Sequence, residues 1–227
     1  MKQHNGILVV EDDENMAYLL SDLLSEQGYE VGLTGNVKHG YEKFESGRYD
    51  LCLLDIVLND GDGIDLAKKI RQKDKDIPII FLTSRALKSD KLLGYEVGAD
   101  DYITKPFDAD ILLAKIAAII NRCYGKLDEK THFNLDEYKL DFTKRLLSFK
   151  KKKIKLSSTE CGILKSLFAA KGEAVSRDDI MKQVWGRSDF FVSKSLDVYI
   201  TRIRKVLRED TGLNLETIHG FGYSLSS

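Results

Sequence analysis

Four short stretches place acids, a hydroxyl and an ammonium where together they could handle one phosphoryl group. Glu11, Asp12 and Asp13 follow the apolar run "ILVV"; Asp55 closes "DLCLLD"; Thr83 closes "IPIIFLT"; Lys105 follows "DDYIT". Crowded carboxylates repel one another, so such a set calls for a cation. An all-oxygen set with few protein ligands suits Mg2+, which keeps several waters and shares a phosphate. A carboxylate can also be a covalent nucleophile that forms an aspartyl-phosphate. Of the three oxygens on a transferred phosphoryl group, one would meet the metal, one the Lys105 ammonium and one the Thr83 hydroxyl. Taken singly, each residue reads as a helix cap or a surface lysine; their joint placement at four strand ends favours the chemistry.

The positioning elements are legible in the hydrophobic pattern. Residues 7–10, 29–34, 50–55, 77–83 and 100–104 read as strands, separated by amphipathic segments near 14–27, 36–47, 63–73, 86–97 and 107–122. Five strands alternating with five helices imply a parallel sheet covered on both faces, whose ligands sit beyond the carboxyl ends of the strands.

With 227 residues the chain has room for two domains, and its charge is divided accordingly. Residues 1–124 carry 15 Lys/Arg against 22 Asp/Glu, net −7, whereas 125–227 carry 20 against 14, net +6. An acidic front and a basic rear point to different partners. The longest apolar run, "ILLAKIAAII", is interrupted by Lys115 and is half the ~20 residues needed to span a bilayer; "MKQHNGILVVEDD" is too briefly apolar for a signal peptide. The scattered Cys52, Cys123 and Cys161, without a CxxC, read as reduced thiols of a cytoplasmic protein. The four histidines are equally scattered, which argues against a His/Cys metal site.

"VVEDDE", "LLDIVL", "FLTS" and "DDYITKPF", in that order, resemble the receiver domain of bacterial two-component response regulators, a flavodoxin-like (βα)5 fold. The resemblance implies that Asp55 is the phosphoacceptor, that Asp12 and Asp55 bind Mg2+ directly, that Glu11 acts through water and that the Val57 carbonyl is a further ligand. It pairs Thr83 with Tyr102 as an inward-turning switch, although Tyr102 also reads as a sheet-edge aromatic, and it makes Lys105–Pro106 a cis peptide. Lys91, Asp100, Asp101, Lys115 and Arg122 match the family's dimer face, but Ile111 replaces an expected acid. Asn59 stands where proline is common; Gly61 and Gly63, which tolerate unusual backbone angles, still let that loop turn.

In the rear half, "LDEYKLDFTKRLLSFKKKKIKLS" alternates like a small antiparallel sheet. Its run Lys150–Lys153 with Lys155 reads better as a solvated hairpin than as a nucleic-acid contact. Capping signals at Ser157–Glu160 and Ser176–Asp179 open two helices. In "VSKSLDVYITRIRKVLRED", Val192, Leu196, Ile200, Ile203 and Leu207 form one buried stripe. Lys194, Thr201, Lys205 and Arg208 lie opposite it, with Arg202 and Arg204 on its flanks. Such a helix suits the major groove, where it meets phosphates and base edges. A terminal hairpin, "LETIHGFGYSLSS", completes the pattern.

This rear block resembles the α+β winged helix-turn-helix effector domain of OmpR/PhoB-type transcription factors. The resemblance implies that 191–207 is the recognition helix and that Lys194, Thr201, Arg202 and Arg204 occupy DNA-contact positions. His219 replaces the wing arginine that reaches the minor groove, and a neutral imidazole attracts that groove less. Trp185 begins a loop that in such proteins can touch RNA polymerase, or else it is core.

The expected organisation is therefore a receiver over 1–123, a linker over 124–132 and a winged-helix domain over 133–227. The expected function is a non-enzymatic DNA-binding regulator, with a sensor histidine kinase donating phosphate and a homodimer binding tandem half-sites of double-stranded DNA. Competing readings are a phosphorylation-independent regulator and an aspartyl-phosphate phosphatase. The phosphatase wants a second aspartate two residues after its nucleophile, where Val57 stands.

Overall fold

The computed structural model describes residues 5–84, 97–124, 131–210 and 212–227, without the side chains at 191 and 208–210. The chain divides into two compact units, residues 1–124 and 125–227.

In the front unit, strands β1 (Gly6–Val10), β2 (Glu30–Thr34), β3 (Leu51–Asp55), β6 (Ile79–Thr83) and β7 (Asp101–Thr104) form one parallel sheet in the order β2-β1-β3-β6-β7. A short hairpin, β4 (Val57–Leu58) with β5 (Gly61–Asp62), follows β3. Helices α1 (Glu14–Glu26), α2 (Val37–Ser46), α3 (Gly63–Lys73) and α4 (Ala109–Tyr124) flank the sheet. The segment expected to be helical near 86–97 lies almost wholly outside the described residues.

The near-continuous apolar strands have the composition of a sheet buried on both faces. Side chains alternate in direction, so Ile7, Val9, Leu51, Leu53, Ile80 and Leu82 pack in one cluster with Leu20 and Leu24 of α1 and Leu112, Ile116 and Ile119 of α4. On the opposite face Val10 lies beside Gly40 of α2 and Leu66 of α3. Helix starts are set locally: Asp13, Asn36 and Asp62 each accept a backbone N–H from the first turn of their helix.

The rear unit opens with a four-stranded antiparallel sheet, β8 (His132–Leu135), β9 (Tyr138–Asp141), β10 (Leu146–Phe149) and β11 (Lys152–Lys155). Three helices follow: α5 (Ser158–Ala169), α6 (Arg177–Trp185) and α7 (Phe190–Asp210). Ser157 and Glu160 make a reciprocal capping box at α5. The terminal hairpin, β13 (Asn214–Ile218) and β14 (Gly222–Ser226), gains a third strand, β12 (Val175–Ser176), which the sequence pattern did not announce. Its two-residue length explains that: period two needs more residues to show. The stripe of α7 is buried as expected, at 0–3% exposure for Val192, Leu196, Ile200, Ile203 and Leu207.

Trp185, expected at the start of a loop or in the core, ends α6, where Gly186 adopts a left-handed φ of 72° as the cap before the loop. Its ring packs partly buried against the core, 6.2 Å from that of Tyr199.

Candidate functional site

Parallel register brings four strand ends to one edge of the front sheet. Val10 pairs with Leu54, Asp55 with Leu82, and Thr83 with Thr104. Glu11 N–H donates to the Thr34 carbonyl at 3.0 Å and Lys105 N–H to the Thr83 carbonyl at 2.8 Å, so the ladder continues to the site itself. Adjacent strands are about 4.8 Å apart, within reach of carboxylate and lysine side chains.

The acids meet there. One oxygen each from Glu11, Asp12 and Asp55 lies within 4.8 Å of the others. Lys105 Nζ donates to Glu11 Oε2 at 2.5 Å and to Asp55 Oδ2 at 2.6 Å. Glu11 and Asp55 are buried, with side chains 1% and 7% exposed, while Asp12 is half-buried. Backbone amides hold one further oxygen each of Asp55 and Asp12: Val57 N–H donates to Asp55 Oδ1 at 3.0 Å and Asn59 N–H to Asp12 Oδ2 at 3.0 Å. A proline at 59 could not donate that second bond, so Asn59 supplies a contact of its own.

Burial pushes the Glu11 carboxyl above its ordinary range, with Asp55 adding to the rise and Lys105 opposing it. Burial works against the Lys105 ammonium too, but its hydrogen bonds to Asp55 and Glu11 outweigh that and raise its pKa. Lys105 is therefore held charged. Three clustered carboxylates with one half-open member form a hard, all-oxygen donor set, and that set fits Mg2+.

Thr83 is fully buried at the end of β6. Tyr102 stands opposite Phe81, two residues before Thr83 in register, with ring centroids 5.3 Å apart. It is 6% exposed and packs inward, although β7, which carries it, is the outermost strand of the sheet. Lys105–Pro106 is cis.

One expectation about the adjoining loop is corrected. Neither Gly61 nor Gly63 is among the positive-φ residues. Gly63 is required by space instead: a Cβ there would strike the Asp55 carbonyl oxygen, while Gly63 N–H donates to the Ile56 carbonyl at 2.9 Å.

The described members of the expected dimer face pair within the chain. Asp100 accepts from Arg122 at 2.6 Å, from Arg71 of α3 at 3.3 Å and from Ile79 N–H at 3.0 Å. Asp101 pairs with Lys115 at 3.0 Å. Ile111 is 56% exposed, and Lys91 lies outside the described residues. Arg71 had no sequence signal, because its partner is 29 positions away.

In the rear unit Thr201 and Lys205 lie exposed on α7, with Lys194 partly exposed, and His219 lies exposed in the wing turn. Lys194 Nζ stands over the Phe190 ring at 5.5 Å, and Thr201 Oγ1 donates back to the Asp197 carbonyl at 2.9 Å. Arg202 lies over the Tyr199 ring at 5.6 Å. Arg204 turns away from an outward role: Nε donates to the Leu215 carbonyl at 2.9 Å and Nη2 to Thr217 Oγ1 at 2.6 Å. The Arg208 side chain lies outside the description.

Comparisons with known proteins bear on both units. Residues 7–117 match the family model "Response regulator receiver domain" and residues 151–225 match "Transcriptional regulatory protein, C terminal". The chain is 39% identical over 226 residues to the transcriptional regulatory protein RprY of Bacteroides fragilis, covering 99% of this chain and 96% of that one. A solved two-component response regulator from Clostridium difficile is 36% identical with TM-score 0.51, covering 53% of this chain and 98% of its own. A CheY-like receiver domain protein from Methanospirillum hungatei is 30% identical with TM-score 0.51, covering 52% and 95%.

Proposed function

The chain belongs to the OmpR/PhoB-type response regulators, two-component regulators with a receiver and a winged-helix DNA-binding domain, and on that premise we propose that Asp55 accepts a phosphoryl group that controls DNA binding. The observation that carries this is the meeting of Glu11, Asp12, Asp55 and Lys105 at one sheet edge, with Lys105 bridging two of the carboxylates.

An Asp55 carboxylate oxygen attacks the phosphorus of a phosphohistidine on a sensor kinase. The P–O bond forms as the P–N bond breaks, and the imidazole leaves with the electron pair. Asp12 and Asp55, with the Val57 carbonyl and Glu11, would hold Mg2+, which when bound would neutralise charge on the phosphoryl group. The amide of Val57 orients the nucleophile through Asp55 Oδ1. Lys105 meets a second phosphoryl oxygen, which requires exchanging its present hold on Asp55 Oδ2. Thr83 meets a third and draws Tyr102 with it. Dimerisation then exchanges the intrachain pairs of Asp100 with Arg122 and of Asp101 with Lys115 for pairs between subunits, to which Lys91 contributes. Two effector units, through Lys194, Thr201, Arg202, Lys205 and His219, bind half-sites about 10 bp apart on duplex DNA, where RNA polymerase becomes a further partner.

Incubation with Mg2+ and a small phosphodonor tests this. Stable labelling of the wild type, absent in Asp55→Asn, and tighter binding of the labelled protein to duplex selected from random sequence are expected. Rapid turnover of a phosphomonoester, or binding indifferent to labelling, would overturn it.

No helix of the described residues is long and apolar enough to cross a membrane.

A further inference from the structure

We propose that Arg204 is a positioning residue for DNA binding, one that fixes the β13–β14 wing to α7 instead of neutralising a backbone phosphate. The inference rests on the DNA-binding reading above and adds a role that its position on the flank of α7 does not suggest.

The planar guanidinium of Arg204 sends two donors to one strand, the Leu215 carbonyl at 2.9 Å and Thr217 Oγ1 at 2.6 Å. It also stands 5.9 Å from the centroid of the Tyr223 ring. Tyr223 is 4% exposed and meets a second guanidinium, that of Arg177, at 5.6 Å. Arg177 opens α6 and links three elements. Its Nη1 donates to the Tyr223 hydroxyl. Its Nη2 donates to the Ser193 carbonyl at 3.1 Å and to Ser193 Oγ at 2.8 Å, and pairs with Asp197 Oδ1 at 2.8 Å. Its backbone N–H donates to the Phe221 carbonyl at 3.0 Å.

These bonds hold the wing at its base and at its turn. Phe221 N–H closes the turn on the Ile218 carbonyl at 3.0 Å, and Gly220 takes the left-handed φ of 71° that the turn needs. The backbone of the tip is thus fixed, whereas the side chains of His219 and Phe221 are exposed. A wing that must enter one groove while α7 occupies the next gains from such fixing, because a loosely supported contact loses its geometry. Nε and one Nη2 donor of Arg204 are committed to this strand, which fixes where the guanidinium stands. Lys205, one residue on, is exposed.

Arginine and lysine distinguish the two roles. A lysine can satisfy a phosphate as a point charge but cannot serve both the Leu215 carbonyl and Thr217 Oγ1 with a planar fork. In the full chain, affinity for a selected duplex is measured across a salt series for wild type, Arg204→Lys and Arg204→Gln. Each is made alone and with the wing tip stripped by His219→Ala and Phe221→Ala. Wild-type binding that weakens steeply with salt establishes the underlying reading; its absence overturns both. The positioning role predicts that Lys and Gln weaken binding alike, by about tenfold, the scale of one groove contact. It also predicts no further loss from either change once the tip is stripped. Wild-type affinity in Arg204→Lys would overturn it. So would an equal cost of Arg204→Gln in both backgrounds with a log–log salt slope shallower by about 1. Far-UV circular dichroism checks folding; Arg204→Lys, which keeps charge and size, carries the comparison if the Gln variant does not fold.

Discussion

Replacing Lys105 with methionine, which keeps the aliphatic stem and removes the charge, would expose what the acidic site costs without its internal cation. In the wild type the ammonium lies 2.5 Å from Glu11 and 2.6 Å from Asp55, whose side chains are 1% and 7% exposed. Stripping one partner from a buried ion pair costs about 3–5 kcal/mol. Lys105 retains 14% exposure and Asp12 is half-open to water, so the lower end, about 3 kcal/mol, is expected. Added Mg2+ should return much of this, since a ligand at a hundred times its dissociation constant contributes about 2.7 kcal/mol. The measurement is urea unfolding of the full chain by far-UV circular dichroism, with and without Mg2+. Trp185, the single tryptophan, belongs to the rear unit, so its fluorescence transition serves as a reference that should not move. If Lys105→Met is as stable as wild type without divalent cation, or if Mg2+ stabilises both equally, Lys105 does not neutralise this cluster.

Three further outcomes follow from the same geometry. Gly63→Ala drives a Cβ against the Asp55 carbonyl and should cost about 1–3 kcal/mol, as overpacking against backbone does, with a matching loss of phosphodonor labelling; undiminished labelling and stability would refute the close approach. Leu196→Ala empties a fully buried position on α7 and should lower the midpoint of the Trp185 transition by the equivalent of about 2–5 kcal/mol. Cys52 and Cys161 are buried, and burial pushes both thiols up to about 12 from 9.0, so these two should react with a thiol reagent only on unfolding. For these two acids the sign is fixed by the neutral form being favoured in the fold: stability is intact below the unfolded thiol value and is lost as pH rises from there through the folded one. Rapid labelling of either thiol at neutral pH would contradict the burial.

Much of the site was readable because its residues lie at strand ends, and strand ends follow from where apolar runs stop. Asp55, Thr83 and Lys105 each terminate or follow such a run, and parallel register alone sets them level. The stripe of α7 was readable for a similar reason, since a period of 3.6 declares which face is buried. Local chemistry also showed through: Ser157 and Glu160 cap α5 from three residues apart.

What the sequence left open was the destination of long side chains and the space around small ones. Arg204 has the type and helical position of a phosphate contact, yet it binds a strand 11 to 13 residues later. Asp100 and Arg122, matched to a dimer face, find each other and Arg71 within one chain. Gly63 reads as a loop residue tolerant of unusual backbone angles but is small because Asp55 has its carbonyl there. Periodicity is a property of neighbours along the chain and fixes which face turns inward. A guanidinium on its flexible stem is committed only when distant strands arrive beside it, and that arrival is decided by packing.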